Sequence, residues 1–263
     1  GTFTYGTSTL VMAKSGTQFM YGVNLFDVNN LTINSGSTTK IETINDSGGE
    51  LQIHGTLTAT GTLTSGTTAA NSKIAMQTGG TTIAVGSAAN SLSGLFSVEL
   101  EHSSGTTTLP TCTLKRLMCK TSGLTALANG DLTLTEELEV NSGTTFNANG
   151  NTIDAKEVDV NGGTLDLRNS TCQFKTTGSN DQLNLSDSST LLTGNTLIEG
   201  HNATNQTWLY APAAGNFEVV GTLKFMDIQT GGDLTVVGSV IGCTLADSTA
   251  NIRQWHHTLD TQQ

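Results

Sequence analysis

The chain has 263 residues, of which 35% are hydrophobic, 13% charged and 5% aromatic, and its 22 Asp and Glu outnumber 11 Lys and Arg to give a net charge of -11. That balance, with a pI near 4.7, excludes nucleic acid and anionic membrane surfaces as natural partners, because binding to either is built on Lys and Arg that neutralise phosphates. A mean hydropathy of -0.11 with Leu, Ile and Val recurring throughout excludes disorder, and a uniform texture without a Pro-rich or charge-run linker argues for one domain.

The chain opens on GTFTYGTSTL, which lacks an initiator Met, a basic segment and an apolar run. A fragment or processed part of a longer protein is therefore expected, and no later stretch approaches the roughly 20 apolar residues of a membrane helix. From there on the pattern is that of short strands. Apolar side chains alternate with polar ones at Leu132-Thr-Leu134, Leu138-Glu-Val140, Val158-Asp-Val160, Leu165-Asp-Leu167, Leu183-Asn-Leu185 and Leu234-Thr-Val236, the two-residue period of a half-buried strand. Thr, the most frequent residue, is both β-branched and polar and suits the solvent side of a sheet. Between these runs lie NSG, NGG, SGS, TGG and ANG, which supply the positive φ and side-chain caps of tight turns. Helical spacing is nearly absent.

The turns recur together with their flanks. Asn30-Leu-Thr-Ile-Asn-Ser-Gly36 presents an apolar-Asn-small-Gly corner, Glu137 to Phe146 matches Glu157 to Asp166 at an offset of 20, and Leu183 to Thr190 is a degraded copy. The last apolar residues before the corners, Ile33, Ile53, Ile74, Val98, Leu117, Val140, Val160 and Leu185, are spaced 19 to 25 residues apart, with a mean near 22. Such a period predicts an all-β, right-handed parallel β-solenoid (β-helix) of about twelve short rungs, a rod of roughly 55 to 60 Å at the spacing of stacked strands. The presence of only 2 Pro fits, since every N–H of a stacked strand is used. An antiparallel β-sandwich is the rival fold and would require hairpin turns that are sparse here. Residues 1–250 are expected to form one solenoid domain and 251–263 a cap or a connection to a further segment. His201 to Pro212, too long for a corner, interrupts the rhythm.

No constellation specifies a reaction. Glu136, Glu137, Glu139, Asp154, Glu157, Asp159 and Asp166 alternate with apolar residues and belong on the solvent side. Adjacent rungs bring Glu139 and Asp159 close, as an acid/base couple would require, but no aromatic neighbour in sequence offers a sugar ring a surface to stack on. Gly162-Gly-Thr-Leu-Asp166 is a distant echo of calcium-binding repeats, His256 and His257 as adjacent residues cannot face one ion, and no nucleophile elbow or phosphate loop is present; no catalytic residue, metal or cofactor is expected. The Thr-x-Thr pairs at Thr56, Thr62 and Thr133 do not recur once per rung, as a flat water-ordering ladder would. Lys115, Arg116 and Lys120 form the one basic cluster and read as solvent-facing strand positions. Cys112, Cys119, Cys172 and Cys243 read as small apolar residues, with a Cys112–Cys119 disulfide left open. The sequons at Asn30, Asn45, Asn169, Asn184, Asn202 and Asn205 are expected by chance in a chain rich in Asn, Ser and Thr.

The strings GTFTYGTSTLVM, ELQIHGTLTATGTLTSG, ANGDLTLTEELEVNSGTTFNANGNTI and EVDVNGGTLDLRNST, about a third of the chain, resemble structural proteins of tailed bacteriophages, particularly those of marine viruses. The resemblance implies a virion component such as a tail fibre, spike or capsid-attached appendage, commonly a homotrimer, and supplies no catalytic residues. The expectation is a non-enzymatic rod that contacts other virion proteins and presents host-contacting surfaces, with a host surface glycan as one partner. Trp208, Tyr210, Trp255, His256 and His257 are the candidate contact residues, large aromatics being favoured at interfaces. The alternatives are a secreted β-helical adhesin or filament subunit at the bacterial surface and a polysaccharide depolymerase spike.

Overall fold

A computed structural model describes residues 6–22, 25–43, 50–65, 73–77, 79, 84–85, 97–175, 181–211, 216–230, 233–245 and 251–255. Every regular element among them is a β-strand, and the paired strands run parallel, each against a later copy of itself, as in Leu124–Ala128 against Thr145–Asn147 or Asn216–Lys224 against Asp233–Ile241. This is a parallel β-solenoid.

Each turn has three sides. Gly105–Leu109 lies on one, Cys112–Cys119 follows and bends at Lys115 to serve two more, and Leu124–Ala128 returns to pair with Gly105–Leu109. The longest ladder, hereafter the first face, stacks eleven strands without a break: Leu25–Val28, Glu50–Ile53, Lys73–Met76, Ser97–Leu100, 116–119, 137–140, 157–160, Gln182–Leu185, Thr207–Ala211, Met226–Thr230 and Thr244–Leu245. The expected number of about twelve rungs is thus close to what is seen.

The alternation read from sequence sorts the first face into an inner and an outer side. Leu51, Ile74, Val98, Leu117, Leu138, Val158, Leu183, Leu209 and Ile228 occupy one register position on successive turns, and none is more than 1% exposed. Each such side chain contributes about 2 kcal/mol by leaving water, so the column is a core that lengthens with every turn. Rung length varies along it, shortest between Ile228 and Leu245 and longest between Leu183 and Leu209. The positions picked from sequence mixed two inward columns: Ile74, Val98 and Leu117 belong to this one, whereas Ile53, Val140 and Val160 belong to the next, two positions on. Ile33 lies on a different face, where its strand Asn30–Ile33 pairs with Thr9–Met12 and Leu57–Ala59.

The corner after the first face is built from glycine. Gly123, Gly143 and Gly162, with φ of 93°, 73° and 81°, stack so that Gly123 N–H donates to Gly143 O at 2.9 Å and Gly143 N–H to Gly162 O at 3.4 Å. A side chain would be strained at such φ, which is the reason NSG and NGG recur at this point of the repeat. The offset of 20 holds from Glu137/Glu157 to Asn141/Asn161 and falls to 19 past the corner, where Phe146 pairs with Leu165 rather than with Asp166.

One sequence expectation changes. The stretch from His201 to Pro212 is not a single long loop: only 201–206 form a corner, closed by Asn202 Oδ1 accepting from the N–H of Thr204 and Asn205, and Thr207–Ala211 is a regular rung. Asn251–Trp255, the start of the segment expected to be a cap or a connection, pairs with Asp233–Val237. The four cysteines are free; Cys112 and Cys119 share one strand but stand on opposite sides of its bend. Pro110 sits at a corner between strands, and Pro212 lies outside the described residues.

Candidate functional site

The outer side of the first face carries two columns of polar side chains, and the register fixes their neighbours. Toward the N-terminal end opposite charges alternate. Lys73 lies 2.8 Å from Glu50 and 3.1 Å from Glu99, and Lys120 lies 2.9 Å from Glu99 and 3.1 Å from Glu101. Burial works to raise the Glu99 carboxyl, but hydrogen bonds from Lys120 and Lys73 prevail and hold it below its ordinary value. Arg116 donates to Glu136 at 2.8 Å and Lys115 reaches the same carboxylate at 3.5 Å. The basic cluster noted in sequence is therefore tied up with acids.

Two turns further the pattern reverses. Glu137 pairs in register with Glu157 and Glu139 with Asp159, so four carboxylates stack on neighbouring strands, an arrangement that is destabilising when charges are alike. Burial, and next the Glu139 charge, push the Glu137 carboxyl up to about 7, against the opposing pull of Arg116. Asp159 is raised by burial and by Glu157, although a hydrogen bond from Asn184 works against this, and its Oδ1 is buried without a hydrogen-bond partner. Glu137 can thus hold a proton near neutral pH, the property of a general acid.

The next two turns complete the surface. Gln182 stands over Glu157 and donates an amide hydrogen to its Oε1, and Asn184 stands over Asp159. Trp208 stands over Gln182 and Tyr210 over Asn184. The two rings are in edge-to-face contact, centroids 6.0 Å apart at 72°, and each is only partly buried while Leu209 between them points inward and is 1% exposed. Asp227 and Gln229 follow on the turn above. The aromatic pair lies two rungs, about 10 Å, from the stacked acids. Sequence alone placed no aromatic near these carboxylates, because the two rungs that separate them, Glu157 to Gln182 and Gln182 to Trp208, are both longer than the one from Glu137 to Glu157 that sets the visible repeat.

Of the other candidate residues, Trp255 ends the strand that pairs with Asp233–Val237, its backbone opposite Val237, on a different side of the coil from Trp208. His256 and His257 lie outside the described residues. Glu136 stands at the bend before the first face, in the contacts with Lys115 and Arg116 already given. Asp154 is on another face, where its Oδ1 accepts from Lys175 N–H at 2.9 Å. Asp166 is 4% exposed and held by Arg168, Nε to Oδ1 at 2.9 Å; together with Asn147, Asn149, Gly150 and Asn169 this pair lines a polar concavity of about 360 Å³ at a corner. One Thr column does recur at a fixed position, Thr106, Thr125, Thr145, Thr164 and Thr190. Its neighbouring column reads Thr108, Leu127, Asn147, Asp166 and Leu192, so these five strands do not form a flat double Thr ladder.

Among the described residues no group of three or more His, Cys, Asp or Glu is arranged to hold a metal ion, and no helix is long and apolar enough to cross a membrane. Comparison of the chain with protein-family models, with curated proteins and with solved structures gave no match.

Proposed function

We propose that this chain is a non-enzymatic structural element of a bacteriophage particle, a stiff rod within a tail fibre, spike or capsid-attached appendage that serves host attachment or assembly, as a homotrimer. The observation that carries the reading is the unbroken eleven-strand ladder over one continuous apolar core. Every turn is hydrogen-bonded to the next, so bending the rod requires breaking several ladder bonds at once, and stiffness is reached without disulfides. Such an element transmits force and sets a distance, which is the work of an appendage. The acid excess fits a surface that does not stick to nucleic acid or to anionic lipid. Mass spectrometry of purified particles, with immunogold imaging of where the polypeptide sits, tests the proposal. Detection in bacterial outer-surface fractions and not in particles overturns it in favour of an adhesin.

A second reading, a depolymerase acting on surface polysaccharide, draws support from one observation, the Glu137 carboxyl raised to about 7 beside Glu157 and Glu139. Against it, Arg116 and Gln182 already engage Glu137 and Glu157, and the aromatic surface lies two rungs away rather than beside the acids. Release of reducing ends from host polysaccharide, abolished by Glu137→Gln, is the result that would establish it.

A further inference from the structure

We infer that the outer side of the first face between Asn184 and Gln229 is a binding surface for a non-acidic glycan, lying across Trp208 and Tyr210. The inference rests on the rod reading and names the partner that the rod presents its side to. Three observations combine. The two rings adjoin on one strand, partly exposed, in an otherwise aromatic-poor chain; the apolar face of a pyranose ring packs on such a surface, and aromatic side chains make the largest single contribution to small contact sites. The turns on either side carry polar groups at the same two register positions, Gln182 and Asn184 below and Asp227 and Gln229 above. Amides and carboxylates place acceptors and donors side by side, the complement of a pair of ring hydroxyls. Asp227 is itself oriented, accepting from Thr244 Oγ1 at 3.0 Å and from Gln229 Nε2 at 3.4 Å.

Charge selects among glycans. Asp227 flanks the rings on one side, and Glu157 and Asp159 lie two rungs away on the other; the cations on this face lie further on, with Lys120 and Arg116 already held by Glu99, Glu101 and Glu136. A polymer of uronic or sialic acid would meet carboxylates as the charged groups among the described residues of this stretch and be repelled, whereas an uncharged chain or one bearing amines would not.

The test is calorimetric titration of the purified full chain with dextran, mannan and chitohexaose as neutral probes and with polygalacturonate and alginate as acidic ones. Binding of at least one neutral probe, weakened about tenfold or more by Trp208→Ala and by Tyr210→Ala, together with no binding of the acidic probes, is the expected result. Absence of binding to all three neutral probes, equal binding of acidic ones, or affinity unchanged in both variants overturns the inference. Because an alanine variant can also fail by misfolding, a Trp255→Phe chain, in which Trp208 is the sole Trp, gives an independent reading: its fluorescence shifts to the blue on adding the bound neutral glycan, and an unshifted spectrum at saturation rejects contact at Trp208. A chain found in particles that binds no neutral glycan defeats this inference alone, and a glycan-binding chain absent from particles defeats the virion reading alone.

Discussion

Glu137 and Glu157 occupy the same register position on adjacent turns, carboxylate above carboxylate, beside the like-charged pair of Glu139 and Asp159. The consequence is a pH-dependent strain. Unfolded, Glu137 loses its proton near its ordinary value of 4.5; folded, it does so at about 7. Between these values the folded chain binds more protons than the unfolded one, so this contribution is fully present below about pH 4.5 and is lost as pH rises through 7. Glu137→Gln removes a group that must ionise against its neighbours. The variant is expected to melt higher than the parent at pH 8, by a margin on the order of 2 kcal/mol, and at nearly the same temperature at pH 4. Thermal melts at the two pH values check this; an equal effect at both would mean that ionisation is not the cause.

His102 titrates in the opposite sense. It is 2% exposed, with Nδ1 2.9 Å from Ser104 O and Nε2 2.8 Å from Thr107 Oγ1. A carbonyl can only accept, so Nδ1 carries the hydrogen and Nε2 accepts from the threonine hydroxyl in the neutral ring. Burial pushes the imidazole below its ordinary 6.5. The unfolded chain therefore takes up the proton first, and stability present above pH 6.5 declines as pH falls through the lowered folded value. Thr107→Val strips Nε2 of its partner and is expected to destabilise by about 1–3 kcal/mol. Denaturant titration at pH 7.5 measures that loss, and a His102→Gln chain is expected to lose the decline below pH 6.5 that the parent shows.

How far the sequence reveals this molecule depends on whether a feature is local or a matter of stacking. Alternation such as Leu138-Glu-Val140 and corners such as Asn-Ser-Gly143 are local, so the strands, the turns and the parallel solenoid could be read directly. So could the juxtaposition of Glu139 with Asp159, because the repeat of their flanking residues spans a single regular turn. Trp208 is different. Its partners Gln182 and Glu157 lie one and two turns back, across the corner at 201–206 that no fixed period anticipates, and its place above an acid stack follows only once the register of every intervening turn is known. The raised Glu137 carboxyl was likewise hidden, since it arises from burial and from three acids on two strands.

The thiols offer a check on the core. Cys112, Cys119 and Cys172 are buried, and burial pushes each up to about 12. Thiolate is the reactive form, so all three are expected to stay inert to an aromatic disulfide reagent at pH 8 in the native chain, Cys243 alone being partly exposed. Four equivalents are expected to react in denaturant without reductant. Fewer than four would reveal a disulfide that the register does not allow.

Two turns toward the C-terminal end of the ladder test the stacking itself. Gly221 and Gly238 pair in register within the long strands Asn216–Lys224 and Asp233–Ile241, at φ of 144° and 143°. A Cβ on Gly238 would fall 1.9 Å from Gly221 O, an approach that only backbone movement can relieve, at a φ that side chains rarely adopt. Gly238→Ala therefore has to separate the turn of Asp233–Ile241 from the one beneath it. Stability is expected to drop by about 2 kcal/mol or more, and because solenoid turns contact only their neighbours, the damage should remain local. Hydrogen exchange should accelerate at 233–241 and 251–255 while the amides of 132–160 keep their protection. Uniform loss of protection along the whole rod would mean that the turns unfold as one cooperative unit, and the nearest-neighbour account of its stiffness would have to be given up.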